Sequence, residues 1–189
     1  MNTPAHLILG SALFARPPKT TTLLTAFVGS GFPDLSVVVM VRWARNIEGH
    51  SPGYIFNVLY FSETWQTVFA IDNSILLWSA LLALGIWRGW ALFVVFTGCA
   101  LIHVVTDLFL HHDDGRAHFW PLSMWKFESP VSYWDSAHHA NTVAPLLLLV
   151  SLISVIVLFR RFRSWPPRTL FAALLAADIY FSSVWFRFF

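Results

Sequence analysis

Apolar residues run through this chain in long blocks, and the polar residues between them gather into short, charged connections. The blocks measure about 15 to 25 residues, the length an α-helix needs to cross a hydrocarbon layer. Lipid offers no partner for a stray backbone amide, so such a block forms a helix. Six blocks predict six transmembrane helices, over about residues 4–16, 20–41, 72–87, 90–110, 142–159 and 169–188. The first is the shortest. It lacks the basic leader of a cleaved signal peptide and is expected to stay attached; Arg16 and Pro17-Pro18 stop it, because proline has no amide to donate. The second is interrupted at Gly29-Ser30-Gly31-Phe32-Pro33-Asp34, a predicted kink whose freed backbone groups need partners inside the protein. Asp72-Asn73-Ser74 predicts the N-terminal cap of the third helix, and Arg88-Gly89 a tight turn into the fourth.

Two stretches depart from this rhythm. Residues 42–71 mix Arg42, Arg45, Glu48, His50 and Pro52 with an aromatic run from Tyr54 to Phe69, which predicts a loop with an interfacial or re-entrant helix. Residues 111–141 are polar and aromatic over about 30 positions, long for a structureless connection and therefore a candidate for function. No internal repeat, low-complexity tract or second domain stands out. The expected fold is a single all-α membrane helix bundle over residues 1–189.

Composition agrees. Only 12% of the residues are charged and 57% are hydrophobic, against roughly 25% charged in a soluble domain, which argues against a soluble fold. Several of the ten tryptophans fall at block ends, as aromatic-belt anchors do. The formal charge of +2 is small and the basic residues sit at block ends, so they read as topology signals, and no nucleic-acid partner is expected. Cys99, the only cysteine, lies between Gly98 and Ala100 and reads as a small packed hydrophobe.

Alternation of six spans brings His6, Asp72, His103, Asp107 and His138-His139 toward one face, with Asp34 roughly 15 Å deep at 1.5 Å per residue. The opposite connections hold Arg16, Lys19, Arg88, Arg160, Arg161, Arg163 and Arg168, seven of the twelve basic residues. The positive-inside rule therefore turns the histidine face to the periplasm or cell exterior. His103 and Asp107 stand at i and i+4 and share one helix face. Imidazole and carboxylate are ligands for Zn²⁺, Mn²⁺ or Fe²⁺, and a bound ion can make a nucleophile of water. The same pair also fits a hydrogen-bonded tie between helices. His6 fits a ligand or an interfacial histidine; Asp34 fits a ligand or a cap for the second half-helix. Glu63 and Asp72 are candidates for general acid, base or ligand, with capping the other role for Asp72. His111-His112-Asp113-Asp114 and His138-His139 fit a solvated loop or further ligands. Arg116 and Lys126 are candidates for holding an anionic head group. Asp178 reads as a buried structural partner.

His6 with Gly10, Pro33-Asp34, and His103-x3-Asp107 followed by Gly115 and Pro121 together resemble the YdjM family over about residues 1–125. Its members are described as LexA-binding, inner-membrane-associated, metal-dependent hydrolases. The resemblance implies a multi-pass protein of the bacterial inner (plasma) membrane, with His6, Asp34, His103 and Asp107 at a metal site. Two departures accompany it. The family often shows Pro-Asp-x-Asp where this chain has Pro33-Asp34-Leu35-Ser36, and His-Arg-x-x-Thr-His-Ser where it has Val68 through Asp72-Asn73-Ser74. The leading expectation is a hydrolase with a lipid-like or membrane-proximal substrate. A different expectation is a non-enzymatic accessory subunit of a larger membrane complex, whose polar layer only ties helices together and whose surfaces meet protein partners.

Overall fold

A computed structural model describes residues 1–17 and 20–188, with the side chains of 185–188 left aside. Pro18 and Lys19, read above as a helix stop and a topology signal, lie outside the described residues. Every regular element among the described residues is helical, as a chain surrounded by lipid requires.

The shortest apolar block holds the centre. α1 (Thr3–Phe14) has proline in its first turn, where a missing amide breaks no helical bond. Its 12 residues reach only about 18 Å. It packs against α2 (Thr20–Gly31), α7 (Ala91–Leu108), α8 (Ala140–Arg161) and α9 (Trp165–Phe188). Small residues allow the close approach: a Cβ at Gly10 would lie 1.9 Å from Ser30 Oγ, and one at Gly98 would meet the Phe14 ring at 2.7 Å.

Four helices among the described residues are long and apolar enough to cross a membrane: Thr20–Asn46, Glu63–Arg88, Ala91–Leu108 and Ala140–Arg161. They expose Leu24, Val28, Leu146, Leu149 and Ile153, a carbon exterior suited to lipid tails rather than water.

Two of the expected boundaries move. The second span continues past the Phe32–Asp34 turn of 3-10 helix into α3 (Leu35–Asn46), five residues beyond Val41. The third begins at Glu63: α5 (Glu63–Asp72) and α6 (Ile75–Arg88) form one span of 26 residues, with Asn73 and Ser74 between them. Ser74 Oγ caps α6 by accepting from the Leu77 amide at 3.0 Å, so of the three residues read as a cap, Ser74 caps and Asp72 closes the helix before it. Between α3 and α5 lies a short α4 (Pro52–Tyr54) running into a π-helical turn over Ile55–Leu59. Gly89 ends α6 at φ 69°, a left-handed conformation that favours glycine.

The bundle has two unlike ends. At one, Arg161 donates to the carbonyls of Ala12 and Ala15 at 2.8 and 2.7 Å, and Arg168 to those of Phe159 and Phe162 at 2.8 and 3.1 Å, satisfying orphaned acceptors at the ends of α1 and α8. Phe162, Phe171 and Leu158 pack beneath them. At the other end, residues 109–141 fold over the bundle and are tied down: Ser129 Oγ donates to the Phe109 carbonyl at 2.7 Å, Ser74 Oγ to the Trp120 carbonyl at 2.5 Å, and the Ile75 amide to the His118 carbonyl at 2.9 Å.

Candidate metal centre

The i, i+4 spacing on α7 works as read: His103 and Asp107 are both buried and face inward. α1 brings His6 against them, and the turn between α2 and α3 brings Asp34. His6 Nε2 lies 2.9 Å from Asp107 Oδ1 and His103 Nε2 lies 3.2 Å from Asp107 Oδ2. The two imidazoles stack, with centroids 3.6 Å apart and planes at 11°. Asp34 Oδ1 is 3.6 Å from His103 Nε2. Asp34 makes no side-chain cap on α3; its other oxygen accepts from Thr3 Oγ1 at 2.5 Å.

Backbone and hydroxyl partners fix both rings. His103 Nδ1 donates to the Ser30 carbonyl at 2.7 Å, so its proton is on the nitrogen facing away from the acids. Thr106 Oγ1 donates to the carbonyls of Ile102 and His103 at 2.9 and 2.7 Å and lies 3.5 Å from His6 Nδ1. His103 Nε2 therefore turns a lone pair toward the acids, while His6 Nε2 makes a hydrogen bond to Asp107 Oδ1. His103 Nε2 is fully buried with no hydrogen-bond partner, between two carboxylates. A lone pair among carboxylate oxygens is repulsive unless a cation, either a proton or a metal ion, stands between them.

The ligand atoms of His6, His103 and Asp107 lie within 4.8 Å of one another and can hold one metal ion. Ligand bonds of about 2.0–2.2 Å to Zn²⁺ require donors spaced in this range. The Nδ1-to-carbonyl bond of His103 is the outer support that metal-bound histidines use. The amino group of Met1 also forms an ion pair with Asp107 Oδ1.

A cavity of about 970 Å³ opens onto the acidic side of this cluster, lined by Asp34, Asp107, His111 and Asp114 on one wall and by Val37, Val38, Phe56 and Phe61 on another. His111 stands 3.6 Å from Asp107 Oδ2 through Nε2 and 2.8 Å from Asp114 Oδ2 through Nδ1. Burial works against charge on His111, but the two carboxylates outweigh it and raise its proton affinity. Burial also pushes Asp114 up, yet His111, Arg116 and Trp134 hold its carboxyl below the ordinary range.

The remaining candidates separate. Glu63 is exposed in the first turn of α5. Asp72 closes that helix, and its carbonyl accepts from Trp78 Nε1 at 2.6 Å. Neither lines the cavity. His138 stacks on His112 at 3.6 Å and pairs with Asp135 at 2.5 Å, and His139 is exposed; none of these reaches the cluster. Lys126 bonds Gln66 Oε1 at 2.6 Å. Asp178 accepts from Asn2 and Ser151 at 3.1 and 2.8 Å, a buried structural partner as its position implied. Sequence reasoning under-weighted His111, whose i+4 spacing from Asp107 was the available signal, and missed Thr106. No family model, curated protein or solved structure matches the chain.

Proposed function

We propose that this chain is a metal-dependent hydrolase of the bacterial inner membrane, with six spans in which α1 and α9 join the four long apolar helices. His6, His103 and Asp107 hold the ion and Asp34 completes its surroundings. The observation that carries this reading is His103: Nδ1 is committed to the Ser30 carbonyl while buried Nε2 faces two carboxylates without a hydrogen bond. His6, His103 and Asp107 would supply three ligands beside the cavity that Asp34 and Asp107 line, fewer than the four that close a structural zinc site. The donor set suits Zn²⁺, Mn²⁺ or Fe²⁺. Such an ion supplies Lewis acidity, which makes a nucleophile of water at neutral pH.

This chain's own residues supply the rest. Asp34 and Asp107 face the cavity and orient water by accepting its protons. His111, lining the cavity between Asp107 and Asp114, holds a proton at Nε2 for a leaving group. That role passes to His111 from Glu63 and Asp72, which lie outside the cavity lining.

A second reading draws on one observation: His6 already bonds Asp107 and Thr3 already bonds Asp34, which suits a helix-tying layer in an accessory subunit. Metal content separates the two. Elemental analysis of detergent-purified protein should find about one equivalent of a transition metal in the wild type, and less than about a tenth of that in His103→Ala/Asp107→Asn with helical content retained by circular dichroism. No metal in wild type after supplementation with Zn²⁺, Mn²⁺ or Fe²⁺ would leave the helix-tying layer as the function of the cluster.

A further inference from the structure

The cavity is two-faced beyond what a metal site needs. One wall is carbon from Leu7, Val37, Val38, Phe56, Phe61 and Phe181. Val38 and Phe56 are themselves exposed, so this carbon lining is open rather than sealed in the core. The other wall carries Arg116, whose guanidinium lies 4.9 Å from the Tyr60 ring centroid and 4.7 Å from that of Phe69. The two aromatic rings hold its plane. The guanidinium acts on the Tyr60 hydroxyl and the Asp114 carboxylate, but its Nη1 is buried from solvent with no hydrogen-bond partner, and a buried donor left unsatisfied is costly enough to call for a partner. A flat guanidinium with a spare donor, in a cavity lined largely by carbon, matches a phosphate oxygen attached to a hydrocarbon chain.

We infer that the cavity binds a phosphate-bearing amphiphile of the membrane. Its chain lies along Val37, Val38, Phe56 and Phe61, and its phosphate meets Arg116 beside the metal cluster. The inference rests on the hydrolase reading for what happens to the bound molecule and not for the binding. A soluble phosphate compound would share the Arg116 contact but would leave the apolar wall unfilled.

Native mass spectrometry of the delipidated full-length protein in detergent tests this, with dilauroyl phosphatidylglycerol, the matching diacylglycerol, and inorganic phosphate as probes. The phospholipid should be retained about tenfold more than diacylglycerol, and millimolar phosphate should not displace it. Arg116→Gln should abolish that preference, and Arg116→Lys, which keeps the charge, should restore part of it. Val38→Trp, which fills the slot and leaves Arg116 intact, should lower retention of both lipids about tenfold. Equal retention of the two lipids by wild type, or no effect of Val38→Trp, would overturn the assignment. Displacement by inorganic phosphate would overturn the amphiphile and leave a phosphate site. Retention should survive chelator treatment and His103→Gln. Metal bound without lipid preference would overturn this inference alone, and lipid preference without metal would overturn the hydrolase reading alone.

Discussion

At His103 the hydrogen bond that decides the chemistry is made by the nitrogen facing away from the acids. Because the Ser30 carbonyl accepts from Nδ1 at 2.7 Å, no side-chain substitution at Ser30 removes that support; Thr106, whose hydroxyl lies 3.5 Å from His6 Nδ1, is the neighbour that can be tested. Thr106→Val keeps the volume and removes the hydroxyl. It should weaken metal affinity about 10- to 100-fold, read by competition with a chelator, while helical content stays unchanged. His118 tests a different kind of histidine. Burial lowers its proton affinity and outweighs the opposing hydrogen bond of Nδ1 to the Asn73 carbonyl at 2.9 Å, so the folded protein disfavours the charged ring. The unfolded chain takes up that proton near pH 6.5 and the folded one only at lower pH. Stability from this group is therefore complete above about pH 6.5 and lost as pH falls through the folded value. His118→Asn should lower Tm at pH 7.5 yet lose less Tm than the wild type between pH 7 and 5. Parallel Tm profiles would assign the acid sensitivity to other groups.

The contact between α2 and α7 is the element-level joint on which the site depends, since it carries Ser30 to His103. A Cβ at Gly29 would lie 2.4 Å from the carbonyl oxygen of Phe96, backbone that cannot turn aside. Gly29→Ala should therefore cost about 1–3 kcal/mol as an overpacking substitution and reduce bound metal. Gly53→Ala, where the nearest atom is Asn57 Nδ2 at 3.9 Å, should leave both melting and metal unchanged. What was legible in the sequence follows the same division between local and distant causes. The His103–Asp107 pair needs only the 3.6-residue turn, and the Pro33-Asp34 break announces itself within six residues of glycine, serine and proline. The start of the third span was hidden. Glu63, Gln66 and Asp72 dilute its first ten residues, and the caps at Ser62 and Ser74 split one crossing into two apparent pieces. His111 was only half legible: its i+4 spacing from Asp107 is local, whereas its placement against Asp114 as well follows from the chain reversal after α7, which Ser129 holds through the carbonyls of Phe109 and His111. Nothing in residues 111–114 alone encodes that reversal.

Across the whole molecule, the two ends divide the charge. Arg16, Arg161 and Arg168 sit at the end where α1 and α8 finish, while the His/Asp cluster and the long loop occupy the other. The positive-inside rule favours the more basic end in the cytoplasm, and the proposed orientation has the cluster and the cavity on the outer side. In the proposed six-span arrangement α1 and α9 also cross: α1 is short, and α9 carries Arg168 and buried Asp178. Asp178 is answered from α1 and α8 by Asn2 and Ser151, so its polar side is turned into the bundle and does not meet lipid, as an intramembrane acid requires. Accessibility of single cysteines in a Cys99→Ser background reads the topology directly. A membrane-impermeant maleimide applied to intact bacterial cells should label Asp113→Cys, in the loop after α7. It should miss Ser164→Cys, between α8 and α9, until the membrane is opened. A cysteine appended after the last residue should label with Asp113→Cys if α9 crosses, and with Ser164→Cys if α9 only lies along the surface. The reverse labelling of Asp113→Cys and Ser164→Cys would put the cluster on the cytoplasmic face. There the same cavity would draw its ligand from the inner leaflet, and the basic end would stand as an exception to the charge rule.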